Sequence, residues 1–172
     1  MNSNSKQILI FLAYLILQTI LSRLTDFGPI LFIAIYPLFI MTTNSGLSHN
    51  RLLLLSFIMG ICVDLFTGQI VGLNSASILI MSLFQPRILR MIATHRVDMS
   101  NFKPGIDTLG FYRFTAYMLV LLAIYHISFS LIESFGFSFF IYNLPRMCIS
   151  YAVNSVLMIV IEYGINSTVR RG

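Results

Sequence analysis

Apolar residues gather into six runs separated by short polar or charged stretches, at roughly 8–22, 29–44, 52–67, 72–86, 114–133 and 142–163. Within the runs, polar and apolar positions do not alternate, which argues against barrel strands and predicts helices. Several runs are shorter than the ~20 residues of a straight membrane crossing; local thinning of the bilayer or snorkelling of flanking Arg and Lys would absorb the difference. The fourth run is the weakest span, and a re-entrant hairpin with the third competes with a full crossing. Tyr36, Pro37 and Asn44 in the second run predict a kinked helix with a polar end. The first run follows Lys6 as a signal peptide would, but Ser22, Arg23 and Leu24 stand where a small-x-small cleavage site belongs. It is read as a retained first helix.

Composition identifies the solvent. Of 172 residues, 57% are hydrophobic and only 10% charged, with a mean hydropathy of +0.85. A soluble domain carries about a quarter charged residues and could not hide this much apolar surface. The expectation is an all-α integral membrane protein, a six-helix transmembrane bundle forming a single domain over residues 1–172. The net charge of +5 does not point to nucleic acid, because the basic residues sit in the connections between apolar runs. With the N-terminus inside, Lys6, Arg51, Arg87, Arg90, Arg96, Lys103, Arg113, Arg170 and Arg171 fall on the cytoplasmic side, and Arg23 falls outside. That bias places both termini in the cytoplasm. Cys62 and Cys148 lie within apolar runs without CxxC or Cys/His spacing and are read as packing residues.

The longest connection, 87–113, is then cytoplasmic. Its first part mixes Ile88, Leu89, Met91 and Ile92 with Arg87, Arg90 and Arg96, a pattern for a short helix at the headgroup level. Pro104, Gly105 and Gly110 turn the chain back to the membrane. An anionic-lipid anchor and a docking loop for a cytoplasmic partner are both open readings.

The stretch MGICVDLFTGQIVGLNSAS, 59–77, places a carboxylate between two apolar runs. Counting from Arg51 at about 1.5 Å per residue puts Asp64 about 20 Å into the bilayer, past the midplane. The same count from Arg113 puts His126 at a similar depth, and Arg146 enters the outer half from the other direction. Buried charges in lipid face the bundle interior and a partner. Asp64 therefore either pairs across helices with Arg146 or His126, or is solvated or caps the turn at its helix end. Gly60 and Gly68, with Asp64 between them at steps of four, would allow another helix close approach. Gly68 and Gly72 also carry turn chemistry, and Asn74 or Ser75 offers a cap for the fourth helix. His126 reads as a hydrogen-bonded packing residue or, less simply, a ligand; Glu133, seven positions on, reads as interfacial and solvated.

The sequence contains no phosphate-cradling Gly-rich loop with Lys, no HExxH, no supported Ser/His/Asp set and no dense carboxylate pair. No cofactor, metal site or enzymatic role is expected.

GICVDLFTGQIVGLNSAS resembles the GxxxDxxxxxxxG signature of MreD, the bacterial rod shape-determining membrane protein family. LQTILSRL, 17–24, is similar to that family's first-helix ending, and GFYRFTAYMLVLLAIYHISFSLIESF after the long loop looks like its Bacteroidetes branch. The resemblance covers essentially the whole chain in size, helix count and orientation. It implies a non-enzymatic inner-membrane component of the cell-elongation machinery for peptidoglycan synthesis. The expected partners are MreC, RodA, the penicillin-binding transpeptidase and, indirectly, the actin-like MreB, together with membrane lipids. It also implies a fold similar to the S components of energy-coupling-factor transporters. Gly60, Asp64, Gly72 and the Asn74–Ser75–Ala76 segment match the family as structural and interface positions; the long loop departs from the shorter family pattern. The alternatives are a small-molecule binding or transport subunit of the S-component type and, third, an unrelated lipid-handling protein in which Arg146 and His126 line a headgroup pocket. Those subunits carry an AxxxA coupling motif in the first helix, whereas here Ala13 is followed four positions on by Leu17.

Overall fold

The computed structural model describes residues 3–24, 30–93, 102–135 and 137–169. Among these the protein is all-helical: α1 (Ser3–Leu24), α2 (Pro37–Met41), α3 (His49–Thr67), α4 (Leu73–Ile92), α5 (Ile106–Leu109), α6 (Phe111–Ser134) and α7 (Phe137–Val169). Four segments are long and apolar enough to cross a membrane: Gln7–Leu24, His49–Thr67, Phe111–Ser134 and Phe139–Ile165. That much apolar helix is the composition of a membrane protein.

The fourth expected span is helical for 20 residues, about 30 Å at the α-helical rise, but it is not uniformly apolar. Its buried positions Asn74, Ser75, Ile78, Met81, Ser82, Gln85 and Leu89 recur every three or four residues. That makes one mixed polar face, which lipid would not solvate and which packs between α3 and α6. Half of α6 is enclosed, against 17% for the crossing segment of α1, so α6 is central and α1 peripheral. Tyr117, Met118, Leu121, Leu122 and Tyr125 of α6 meet Met59 of α3, Ile78 and Met81 of α4, and Leu38 and Met41 of α2 in one core. α7 lies against α6, and α1 against α3.

The second expected helix, 29–44, is not a continuous helix. Residues 31–35 form no helix, and their peptide groups bond alternately to α7 and α1 as an extended chain's would, while only Pro37–Met41 forms a short helix, with Pro37 in its first turn. Pro37 therefore starts a helix rather than kinking one, because its fixed φ and missing N–H suit that position. This segment is nonetheless among the most buried in the molecule: Ala34, Ile35, Tyr36, Leu38, Ile40 and Met41 are all fully enclosed.

The expected headgroup-level helix after 87 is also different. α4 continues through Pro86 to Ile92, so Arg87 and Arg90 belong to its last turns. Arg96 lies outside the described residues, as do Arg170 and Arg171. From Phe102 the chain folds back onto the bundle: Ser45 donates its backbone N–H to the Phe102 carbonyl at 2.7 Å, and Phe102 donates its N–H to the Ser45 hydroxyl at 3.2 Å. Lys103, Ile10 of α1 and Ile165 of α7 line one cavity, which puts the start of α1 and the end of α7 at the same end of the bundle.

Candidate functional site

The α3–α4 hairpin explains Asp64. α3 ends at Gly68 with φ +70°, and α4 begins after Gly72 with φ +98°, both left-handed conformations that glycine adopts at little cost. A helix N-terminus leaves its first backbone N–H groups without intrahelical partners, and the N-cap residue normally supplies a side-chain acceptor. Gly72 has none. Asp64 fills the role from the preceding helix. Its Oδ2 accepts the Gly72 N–H at 2.9 Å and, more weakly, the Ser75 N–H at 3.4 Å, and its Oδ1 accepts the Asn74 N–H at 3.0 Å. The Asn74 amide and Ser75 hydroxyl add donors at 2.8 and 3.0 Å. Leu73 N–H goes to Ile70 O, and Ala76 N–H makes the first helical bond, to Gly72 O. The carboxylate also sits at the positive end of the α4 dipole.

Asn74 and Ser75 are therefore the capped residues, not the cap. Asp64 is fully buried and paired with neither Arg146 nor His126. The reason is proximity: the five-residue turn swings the α4 N-terminus onto the carboxylate, and its donors are supplied locally. Gly60 completes the joint. A Cβ there would collide with Ser75 Cα and lie 2.7 Å from Ser75 N, so the two helix backbones touch at this point. Gly68 and Gly72 meet nothing and serve the turn alone.

Asn74 carries the network inward. Its amide also donates to Gln69 Oε1 at 2.7 Å, and its carbonyl receives the hydroxyls of Tyr36 at 2.9 Å and Tyr125 at 3.0 Å, which lie 2.8 Å apart. Asp64, Asn74, Tyr36 and Tyr125 thus tie α3, α4, the segment before α2, and α6 into one buried polar cluster.

A second cluster holds the extended segment. An extended chain points successive peptide groups to opposite sides. On one side, Asn154 of α7 accepts the Ala34 N–H at Oδ1 and donates Nδ2 to the Phe32 carbonyl, both at 2.9 Å, while Ser150 Oγ accepts the Phe32 N–H at 2.9 Å. On the other, Gln18 of α1 donates to the Ile33 carbonyl at 2.9 Å and accepts the Ile35 N–H at 2.8 Å. Two side-chain amides act as the neighbouring strands. Non-helical backbone at membrane depth survives only when protein satisfies it in this way. The orientation of Asn154 also fixes His126: Nδ2 donates to His126 Nε2 at 3.0 Å, so the proton lies on Nδ1, which faces Leu122 O at 3.0 Å. His126 is a neutral packing residue with both nitrogens engaged.

Arg146 donates to Glu133 at 2.9 Å, each side chain about a quarter exposed. Glu133 is therefore ion-paired, not merely solvated. Of the three ionisable groups expected in one layer, His126 and Arg146 line the same small cleft between α6 and α7, and Asp64 is elsewhere. Depth along a helix does not fix the direction in which a side chain points.

At the opposite end, Tyr14, Thr42, Lys103, Asp107, Thr108 and Glu162 line an open cavity of about 500 Å³ beside α1, α5 and α7. Glu162 accepts the backbone N–H of Ile106 there, again a carboxylate from a distant helix at a helix start. Sequence reasoning passed over Gln18, Tyr125, Ser150 and Asn154. The signal was present: amides and hydroxyls in otherwise apolar spans need partners.

No family model, curated protein or solved structure matches this chain.

Proposed function

We propose that the chain is a non-enzymatic scaffold of the MreD type, a multi-pass protein of the bacterial inner membrane with both termini in the cytoplasm. In this reading it holds the single helix of MreC and, through it, RodA and the penicillin-binding transpeptidase of the cell-elongation machinery, with MreB engaged indirectly. The observation that carries the reading is the fate of the positions on which the resemblance rests. Gly60 makes a backbone contact, Asp64 spends both oxygens on the α4 N-terminus, and Gly72 makes the turn. A signature whose residues build a helix joint fits a protein that acts by shape. Partner contact would then fall on lipid-facing helix surfaces, by close packing and polar contacts.

A second reading, a small-molecule-binding subunit of the S-component type with a six-pass bundle, draws support from the cavity of about 500 Å³ lined by Tyr14, Lys103, Asp107 and Glu162. Depletion of the protein in its host separates the two. The scaffold reading expects rod-shaped cells to round up with dispersed wall synthesis and unchanged vitamin uptake. Normal shape with lost uptake of a small molecule would replace it with the second.

A further inference from the structure

The cleft between α6 and α7 holds two buried polar atoms without a hydrogen-bond partner among the described residues. Several helical hydroxyls bond to carbonyls of their own helix: Thr19 to Leu15 and Ser56 to Leu52 at 2.8 Å, Ser77 to Leu73 and Ser155 to Tyr151 at 2.7 Å; Thr115 of α6, away from this cleft, is buried without a partner among the described residues. Ser130, within the cleft, makes no such bond either. It is 4% exposed, and its Oγ makes no hydrogen bond. Arg146 Nε is likewise buried without an acceptor, although the same guanidinium reaches Glu133 through Nη1. Both residues line one cavity, floored by Phe32, Phe129 and Met147. A buried donor left unmade is costly, and two in one place are the mark of a missing partner.

The chemistry and size of that partner follow. Ser130 offers a hydroxyl, and Arg146 offers the Nε–H of a cation. His126 has both nitrogens engaged, and Asn143 gives its amide to Ser134 at 3.2 Å. Glu133 and Ser150 also line the cavity, the first taken up by Arg146 Nη1 and the second accepting the Phe32 N–H; the two free donors therefore take one acceptor oxygen, and the cavity, about 20 Å³, admits an atom of that size and no more. Ser130 lies one turn inside the end of α6, near the membrane boundary, and Phe139 and Tyr142 stand exposed on the neighbouring α7, as aromatic side chains do at headgroup level.

We propose that the α6–α7 cleft seats one phosphate oxygen of a phospholipid headgroup, held by Ser130 Oγ and Arg146 Nε. This site is independent of the scaffold reading. The full chain, purified in detergent, is tested by native mass spectrometry with phosphatidylglycerol, diacylglycerol or inorganic phosphate added. The expected result is retention of phosphatidylglycerol but not diacylglycerol, weakened about tenfold in Ser130→Ala by loss of a charge-assisted hydrogen bond, and also weakened in Arg146→Lys, which keeps the charge and loses Nε. Because Ser130→Ala deletes an unpartnered hydroxyl and keeps the Glu133–Arg146 pair, its Tm should equal or exceed that of the parent, so lipid loss would not reflect misfolding. Equal retention in parent and Ser130→Ala, equal retention of diacylglycerol, displacement of the lipid by inorganic phosphate alone, or a density map showing only a water in the cavity would overturn it.

Discussion

Asp64 exchanges solvent for five donors within 3.4 Å, all from the turn and first residues of α4. Replacing it with Ala strands three backbone N–H groups in the protein interior. We expect Asp64→Ala to cost about 3 kcal/mol, from the loss of a cap and of charge-assisted bonds, and to lower Tm in detergent by about 6–12 °C; an unchanged Tm would contradict the capping role. The glycines separate by mechanism. Gly60→Ala drives a Cβ into Ser75 backbone, which cannot move aside as a side chain can, and should cost about 1–3 kcal/mol. Gly68→Ala meets no atom and carries only the left-handed φ penalty of about 1 kcal/mol, so Gly68→Asn should recover most of the loss. Thermal melts of the three variants give the order. The close approach at Gly60 and the turn at Gly68 and Gly72 were legible in the sequence, because both follow from local spacing and residue type. The partner of Asp64 was not: counting residues gives depth in a helix, and three ionisable groups at similar depth look paired until their directions are known. Arg146 chose Glu133 instead. Exchanging Glu133 and Arg146 should retain up to about 1 kcal/mol of coupling in a double-mutant cycle, as partly exposed pairs do, whereas exchanging Asp64 and Arg146 should restore nothing.

Among the elements, the extended segment 31–35 departs furthest from expectation. FIAIYPLFI reads as an apolar helix because nothing within it opposes helix strongly before Pro37. What holds it extended lies elsewhere, in Gln18 and in Ser150 and Asn154, the latter two more than a hundred residues away. No local pattern encodes that pairing. The five long helices, by contrast, lay close to where apolar runs placed them, and only their ends moved. Asn154 is the critical clamp, since it serves Phe32, Ala34 and His126 together. In Asn154→Leu, the Phe32 carbonyl and Ala34 N–H lose their partners where lipid and core offer no replacement. Amide hydrogen exchange should show Ala34 protected in the parent and exchanging at least tenfold faster in the variant, a change of about 1.4 kcal/mol or more in local opening. Equal protection would mean that backbone packing alone holds the segment.

At the scale of the molecule, two buried polar clusters, one around Asp64 and Asn74 and one around Gln18 and Asn154, tie the helices to one another. α1 and α7 expose rows of Ile, Leu, Val and aromatic side chains, and Ile10 of α1 and Ile165 of α7 line one cavity on the side that carries Lys103. That side is the cytoplasmic one in the reading proposed here, and the exposed faces are where a single-span partner would lie. The decisive measurement is affinity purification of the full chain from its native membrane in mild detergent, with mass spectrometry of both proteins and small molecules. The account predicts recovery of an MreC-type protein with wall-synthesis enzymes and no stoichiometric soluble ligand. Recovery of an ATPase module, or of a tightly bound vitamin, would contradict it.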